Sequence, residues 1–261
     1  MDAESLALKL MRMQAWMEQS DDHPECTRQQ LGVAPGAAQI CVDPTSTEAA
    51  ASFNRNRIYL CGRTGGLSHD DLLRFIETFR ARGVRRFFAW LSPGPQRDTV
   101  RGWLESLRMQ RVVWTRYPTL TLSEPADVNP DTGFEIRTVD RAQIAAARNQ
   151  FGFQSMEGFE QSAGRAGFRH YLVFDGVRPI ASAALVEFER IGYLTYAQTN
   201  ETDRIRGAQC ALIVRRSEDA RRLGCTSIVS QTLTMLERSF ANLRRCGFRE
   251  LYEQEVYEGR T

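Results

Sequence analysis

Apolar positions at Leu6, Leu10, Met13 and Met17 recur at helical spacing, which predicts an amphipathic helix over residues 3–19. The polar run Ser20–Arg28 then reads as loop, and Ile40–Val42 and Arg57–Cys61 as short strands. Gly62–Gly66 is a turn by composition. Ser68 followed three residues later by Asp71 predicts a helix cap ahead of Leu72–Arg82. Gly83 closes that helix. Arg86–Leu91 has the pattern of a buried strand, Arg97–Met109 of a helix and Val112–Leu122 of a strand. Strand and helix alternate, so this half predicts an α/β layer.

Ser123–Gly133 collects turn formers and acids between two patterned regions, and the domain boundary is expected there. The expected domains are 1–125 and 133–261. The second opens with strand Phe134–Thr138 and a helix around Arg141–Asn149. Tyr171–Phe174 and Pro179–Glu189 flank Asp175-Gly176, a hairpin signal because both residues tolerate positive φ. Strand Tyr193–Thr199 comes next. A helix then runs from Gly207 to about Arg222, closed by Gly224, before strand Thr226–Gln231. Helix Leu236–Cys246, closed by Gly247, and strand Phe248–Tyr257 complete the pattern.

Bulk composition narrows the function classes. A chain of 261 residues, 42% hydrophobic and 25% charged, builds real cores and suits two domains. The formal charge of +2 gives no global basic field, so no nucleic-acid partner is expected. Lys9 is the only lysine among 34 basic residues, a bias that a GC-rich genome produces by itself. Six scattered cysteines without a C-x-x-C pair or a histidine cluster argue against structural zinc, so no metal is expected. No apolar run approaches a membrane span and no secretory pattern opens the chain; a soluble, cytoplasmic protein with reduced thiols is the expectation.

The stretch that carries chemistry is Tyr196-Ala-Gln-Thr-Asn-Glu-Thr-Asp-Arg-Ile-Arg-Gly-Ala-Gln209. A strand ends, a loop containing arginine and glycine follows, and a helix begins. Helix N-termini expose unpaired N–H groups and the positive end of the macrodipole, which suit phosphate. Gly207 permits close backbone approach, and Arg204 and Arg206 add charge. A glycine before a helix is by itself a weak signal.

Arg204-x-x-Gly207-x-Gln209 resembles the pyrophosphate loop of the GNAT family of N-acetyltransferases, Q/R-x-x-G-x-G/A, with Gln209 in place of the small last residue. Downstream, Ser239-Phe-Ala-Asn242-Leu-Arg-Arg-Cys-Gly247-Phe248 resembles the family's late helix and its Gly-Phe exit. The resemblance covers about Phe134 to Tyr257. It implies a mixed α/β sheet flanked by helices, with acetyl-CoA as cosubstrate. Gly207, Ala208, Gln209, Arg204 and Arg206 would hold the diphosphate. Ala197, Gln198 and Thr199 would align the pantetheine arm, Asn242 would face it, and Arg244 or Arg245 would meet the nucleotide phosphate.

The implied reaction is direct attack of a neutral amine on the thioester, with a main-chain N–H near Ala197–Gln198 at the oxyanion. Glu187, Glu189 and Glu201 are candidate bases, each equally readable as a solvated strand-end charge. Leu243 stands where many relatives of this type carry a tyrosine acid; Tyr196 or Tyr193 would be the substitute, or plain sheet filling. His23, His69 and His170 are isolated, and no hydrolase triad is supported. Residues 1–122 carry no comparable phosphate loop and read as an appended α/β domain or a degenerate half of the same fold. That half would shape an acceptor groove or a homodimer surface. The acceptor itself, a small-molecule or peptide amine, is not written in the sequence. A CoA-binding sensor without transfer activity and an aminoacyl transferase that uses charged tRNA remain as alternatives.

Overall fold

A computed structural model describes residues 1–18, 38–43, 55–123, 133–151, 157–204 and 207–261. The Ser20–Arg28 stretch with His23 and Cys26, nearly all of the 123–133 joint, and Arg206 lie outside them. The chain divides into two compact units: Met1–Tyr117 with Tyr252–Thr261, and Pro118–Leu251.

The first unit opens with helix α1 (Ala3–Glu18), which buries Leu6, Leu10 and Met13 as its spacing predicts. Strand β1 (Ala38–Cys41) runs antiparallel to β2 (Arg57–Leu60), which pairs in parallel with β3 (Arg86–Leu91). A parallel neighbour requires a crossover, and α2 (His69–Ala81) supplies it. Ser68 and Asp71 form the anticipated capping box. Helix α3 (Arg97–Ser106) follows β3, and β4 (Gln110–Arg111) pairs with the end of the last strand, β11 (Phe248–Arg260). Glu255–Arg260 of β11 also lie antiparallel on β3. Phe75, Phe79, Phe87, Val100 and Leu104 fill this core, with the Phe79 and Phe87 rings stacked 4.5 Å apart.

The second unit takes in most of β5 (Tyr117–Leu122), then β6 (Glu135–Val139), β7 (Phe168–Asp175), β8 (Arg178–Phe188), β9 (Ile191–Thr199) and β10 (Ser227–Gln231). Their order across the sheet is β5-β10-β9-β8-β7-β6. All neighbours are antiparallel except β9 and β10. The β7–β8 turn is centred on Gly176 and Val177, because Asp175 pairs with Arg178. Only Gly176 needs positive φ, so the predicted Asp175-Gly176 centre is off by one residue.

Alternation along β7 and β8 divides this core between two faces. Leu172 and Ala184 face α4 (Arg141–Phe151) and α5 (Glu157–Gln161), packing with Ile144 and Phe159. Tyr171, Val173, Ala183 and Leu185 face α6 (Ala208–Arg222) and α7 (Glu237–Arg245). At Gly192 the α6 helix comes so close that a Cβ there would sit 2.6 Å from the Ala220 methyl.

A cut at 123–133 and the observed units differ at two strands. Thr119–Thr121 of β5 hydrogen-bond to β10, and the last residues of β11 pair with β3. Both assignments rest on pairing between distant segments, which composition cannot report.

Candidate functional site

β9 and β10 pair from Ile191↔Ser227 to Leu194↔Ser230 and no further. β10 ends at Gln231, whereas β9 continues to Thr199. Beyond Leu194 one edge of β9 therefore has no neighbouring strand. Ser230 Oγ donates to Leu194 O (2.9 Å) at the point of divergence.

β9 is also bulged. Ala184 pairs with Thr195 but Ser182 with Gln198, which leaves one extra residue on β9. Tyr196 absorbs it in the left-handed region, φ 50. Bulges re-aim backbone groups next to active sites, and this one lies in the open segment.

The described residues just after β9 are tied to β8. Asp203, 2% exposed, accepts two hydrogen bonds from Arg178 at 2.7 and 2.8 Å. Arg204 beside it pairs with exposed Glu201 at 3.1 Å, a surface contact worth little and easily exchanged for another anion. Gly207 (φ 86) then starts α6 with no side-chain cap. The first helical bond runs from Ala211 N–H to Gly207 O. The amides of Ala208, Gln209 and Cys210 thus have no partner within the helix.

These elements enclose a cavity of about 840 Å³, a size that suits a cofactor. Ala197, Gln198 and Thr199 line it from the strand, and Arg204, Gly207, Ala208 and Gln209 from the loop and helix start. Asn242 and Arg245 of α7 form the opposite wall. The structure therefore gathers the nine described residues of the predicted cofactor site around one cleft. The α7 N-terminus, also without a side-chain cap, adds Glu237, Arg238 and Ser239. Arg244 does not line it; its guanidinium lies over the Phe240 ring.

Gln209 does not crowd the cleft, as a long residue in that motif position would suggest. Its amide turns back to donate to Gln198 O (2.8 Å) and Thr199 Oγ1 (2.7 Å), tying helix to strand. Cys210 sits one residue further along. Its thiol donates to Asn242 Oδ1 (3.6 Å), and the neighbouring Cys246 thiol, with Arg245 nearby, holds it below the usual range.

The candidate catalytic residues are less well gathered. Glu187 lies opposite Gly192 at the start of β9, roughly 16 Å of strand from Ala197, and does not line the cavity. Glu201 is the exposed partner of Arg204, outside the lining. Tyr196 supplies the bulge, but its ring packs towards α5, where a Cβ on Gly158 would lie 3.0 Å from it. Tyr193 donates to Gln231 Oε1 (3.2 Å), and Leu243 is core. His170 is buried against Phe159, with Nε2 2.9 Å from Ser162 Oγ; burial pushes its pKa down to about 4. Asp203, Cys210, Arg216 and Ser230 line the cleft without having been singled out by sequence.

The first unit repeats the strand–loop–helix order with Arg63-Thr-Gly-Gly66-Leu-Ser68 between β2 and α2. The order is comparable to that of Arg204–Gln209; the chemistry is not. Ser68 Oγ already accepts the Asp71 N–H, and Asp70 and Asp71 place negative charge on the helix start. Nor do β2 and β3 diverge: Ser92 N–H donates to Leu60 O and Gln96 N–H to Gly62 O, both at 2.8 Å. A Cβ on Gly94 would fall 2.2 Å from Cys61 O. The two segments are in direct contact there.

With this geometry in view, the likeness to solved structures is specific. A GCN5-related N-acetyltransferase from Kribbella flavida covers 98% of this chain and 94% of its own, with TM-score 0.65 and 16% identity. The chain has the GNAT fold. A tandem GNAT protein from the clavulanic acid biosynthesis pathway matches over 85% of this chain and 78% of its own (TM-score 0.62, 10% identity). A third GNAT structure, from Sphaerobacter thermophilus, covers 88% and 82% (TM-score 0.55, 13% identity). No protein-family model and no curated protein matches the sequence. Among the described residues no helix is long and apolar enough to cross a membrane, and no group of metal-binding side chains forms.

Proposed function

We propose that the protein transfers an acetyl group from acetyl-CoA to an amine by direct attack. The observation that carries this reading is the divergence of β9 from β10 beside the uncapped start of α6. The diphosphate would lie on the amides of Ala208, Gln209 and Cys210, with Arg204 and Arg245 beside it. Pantetheine would extend along the open edge of β9 as an added strand, fixing the thioester near Ala197. A bulge N–H there would meet the oxygen as it becomes negative.

Residues that move protons are sparse in the cleft. Asp203 is held by Arg178, so the ammonium proton would leave through water, with Glu201 the nearest candidate along the chain. The thiolate needs no dedicated acid, because an ordinary thiol with pKa about 8.5 is a tolerable leaving group. The acceptor would be a small-molecule or peptide amine.

Buried Leu243 at the acid position favours a second reading, a CoA-binding protein that performs no transfer. Single-turnover assays with acetyl-CoA and a panel of amines separate the two. Acetylated amine appearing with free CoA supports transfer; tight binding with neither transfer nor hydrolysis supports the second reading.

A further inference from the structure

Arg216 points inward from α6 with 1% of its surface exposed, and among the described residues no carboxylate pairs with it. Burying a cation in this way is unfavourable, and it pulls the guanidinium down to about 10. All its hydrogen bonds go to main-chain carbonyls. Nε donates to Leu212 O (3.0 Å) on its own helix, while Nη1 donates to both Ala184 O (2.9 Å) and Thr195 O (3.1 Å). Ala184 and Thr195 face each other across β8 and β9, and theirs is the last pair before the register shifts. The next residue is Tyr196, held at φ 50 without glycine's freedom. A strained backbone persists only where its surroundings over-determine it. A planar guanidinium fixed at three points does that for the peptide plane entering the bulge. Arg216 also lines the cleft, as Ala197 does.

We infer that Arg216 is a positioning residue: by holding the Ala184 and Thr195 carbonyls it sets the bulge, and so aims the Ala197 N–H at the thioester oxygen. The inference rests on the acetyl-CoA reading above. It predicts that Arg216 contributes to the reaction while touching neither the nucleotide nor the acceptor.

The test is the infrared carbonyl band of bound acetyl-CoA labelled with carbon-13 at the acetyl carbonyl, read in wild type, Arg216→Met and Arg216→Lys. Wild type is expected to bind with the band lowered from its free position. Arg216→Met is expected to bind with a dissociation constant within about threefold of wild type, with the band returned to the free position. Where an amine is acetylated, its kcat would fall about 100-fold at unchanged KM for acetyl-CoA, the scale of losing an oxyanion donor. Arg216→Lys, which keeps the charge and reaches one carbonyl, would give an intermediate band, and it carries the test if the Met variant does not fold. A variant that binds with the wild-type band overturns the inference and leaves the functional reading standing. An unshifted band in wild type also overturns it alone. No binding of acetyl-CoA by wild type overturns both.

Discussion

On the proposed reading, Gly207 is the residue on which diphosphate binding turns. Its φ of 86 lies where a side chain costs about 1–2 kcal/mol, and a Cβ would also intrude where a ligand must touch backbone. Gly207→Ala is expected to keep the fold and weaken CoA binding by about tenfold or more, measurable by calorimetry. Buried His170 makes a separate prediction. Its folded-state pKa of about 4 lies below the ordinary 6.5, so the unfolded chain binds the extra proton first. Its contribution is therefore whole above pH 6.5 and is lost as pH falls towards 4, amounting to about 3 kcal/mol. Urea unfolding of wild type and His170→Gln across pH 7 to 4 should show the steeper acid loss in wild type. Equal slopes would contradict this assignment.

Gly207, Asn242 and Arg245 were singled out by the resemblance of two local segments to the GNAT family, and all three line the same cleft. Arg216 was not singled out. It sits in an Arg215-Arg216 pair that reads as solvated helix surface, yet Arg215 turns to Asp219 while Arg216 goes into the core. Only the sheet beneath the helix decides between them.

At the scale of elements, the order of strands and helices followed from periodicity and capping, as Ser68 with Asp71 and Gly224 illustrate. The bulge at Tyr196 did not, because β9 carries no glycine or proline there to mark it. The end of β9 is held by a side chain instead. Gln209→Ala removes two hydrogen bonds to Gln198 and Thr199, which should cost about 1–2 kcal/mol and speed amide exchange over 197–199. Unchanged exchange there would mean that the strand end needs no such tie. Two helix starts with similar sequences also diverge in use. That of α2 is satisfied by its own serine and aspartate, and that of α6 is left open.

For the whole molecule, this contrast predicts one CoA per chain although an Arg-x-x-Gly segment lies between a strand and a helix twice, at Arg63–Gly66 and Arg204–Gly207. Calorimetric titration should give a stoichiometry of one, abolished together with Arg204 and Gly207 substitutions and indifferent to changes at Arg63. A second site would show that the closed contact between Gly62 and Gly94 opens in solution. The sequence reads as two patterned regions divided at 123–133, whereas the compact units are Met1–Tyr117 with Tyr252–Thr261 and Pro118–Leu251. β11 gives its start to one unit and its end to the other, and strand exchange of this kind leaves no local signature.

Hydrogen–deuterium exchange of the protein with and without CoA tests the central claim most directly, since it reads the helix-start amides themselves. The Ala208, Gln209 and Cys210 amides, unprotected by helical bonds, should exchange rapidly alone and slow markedly with CoA, together with Ala197–Thr199. Saturating CoA that leaves both segments exchanging at their original rates would contradict the account.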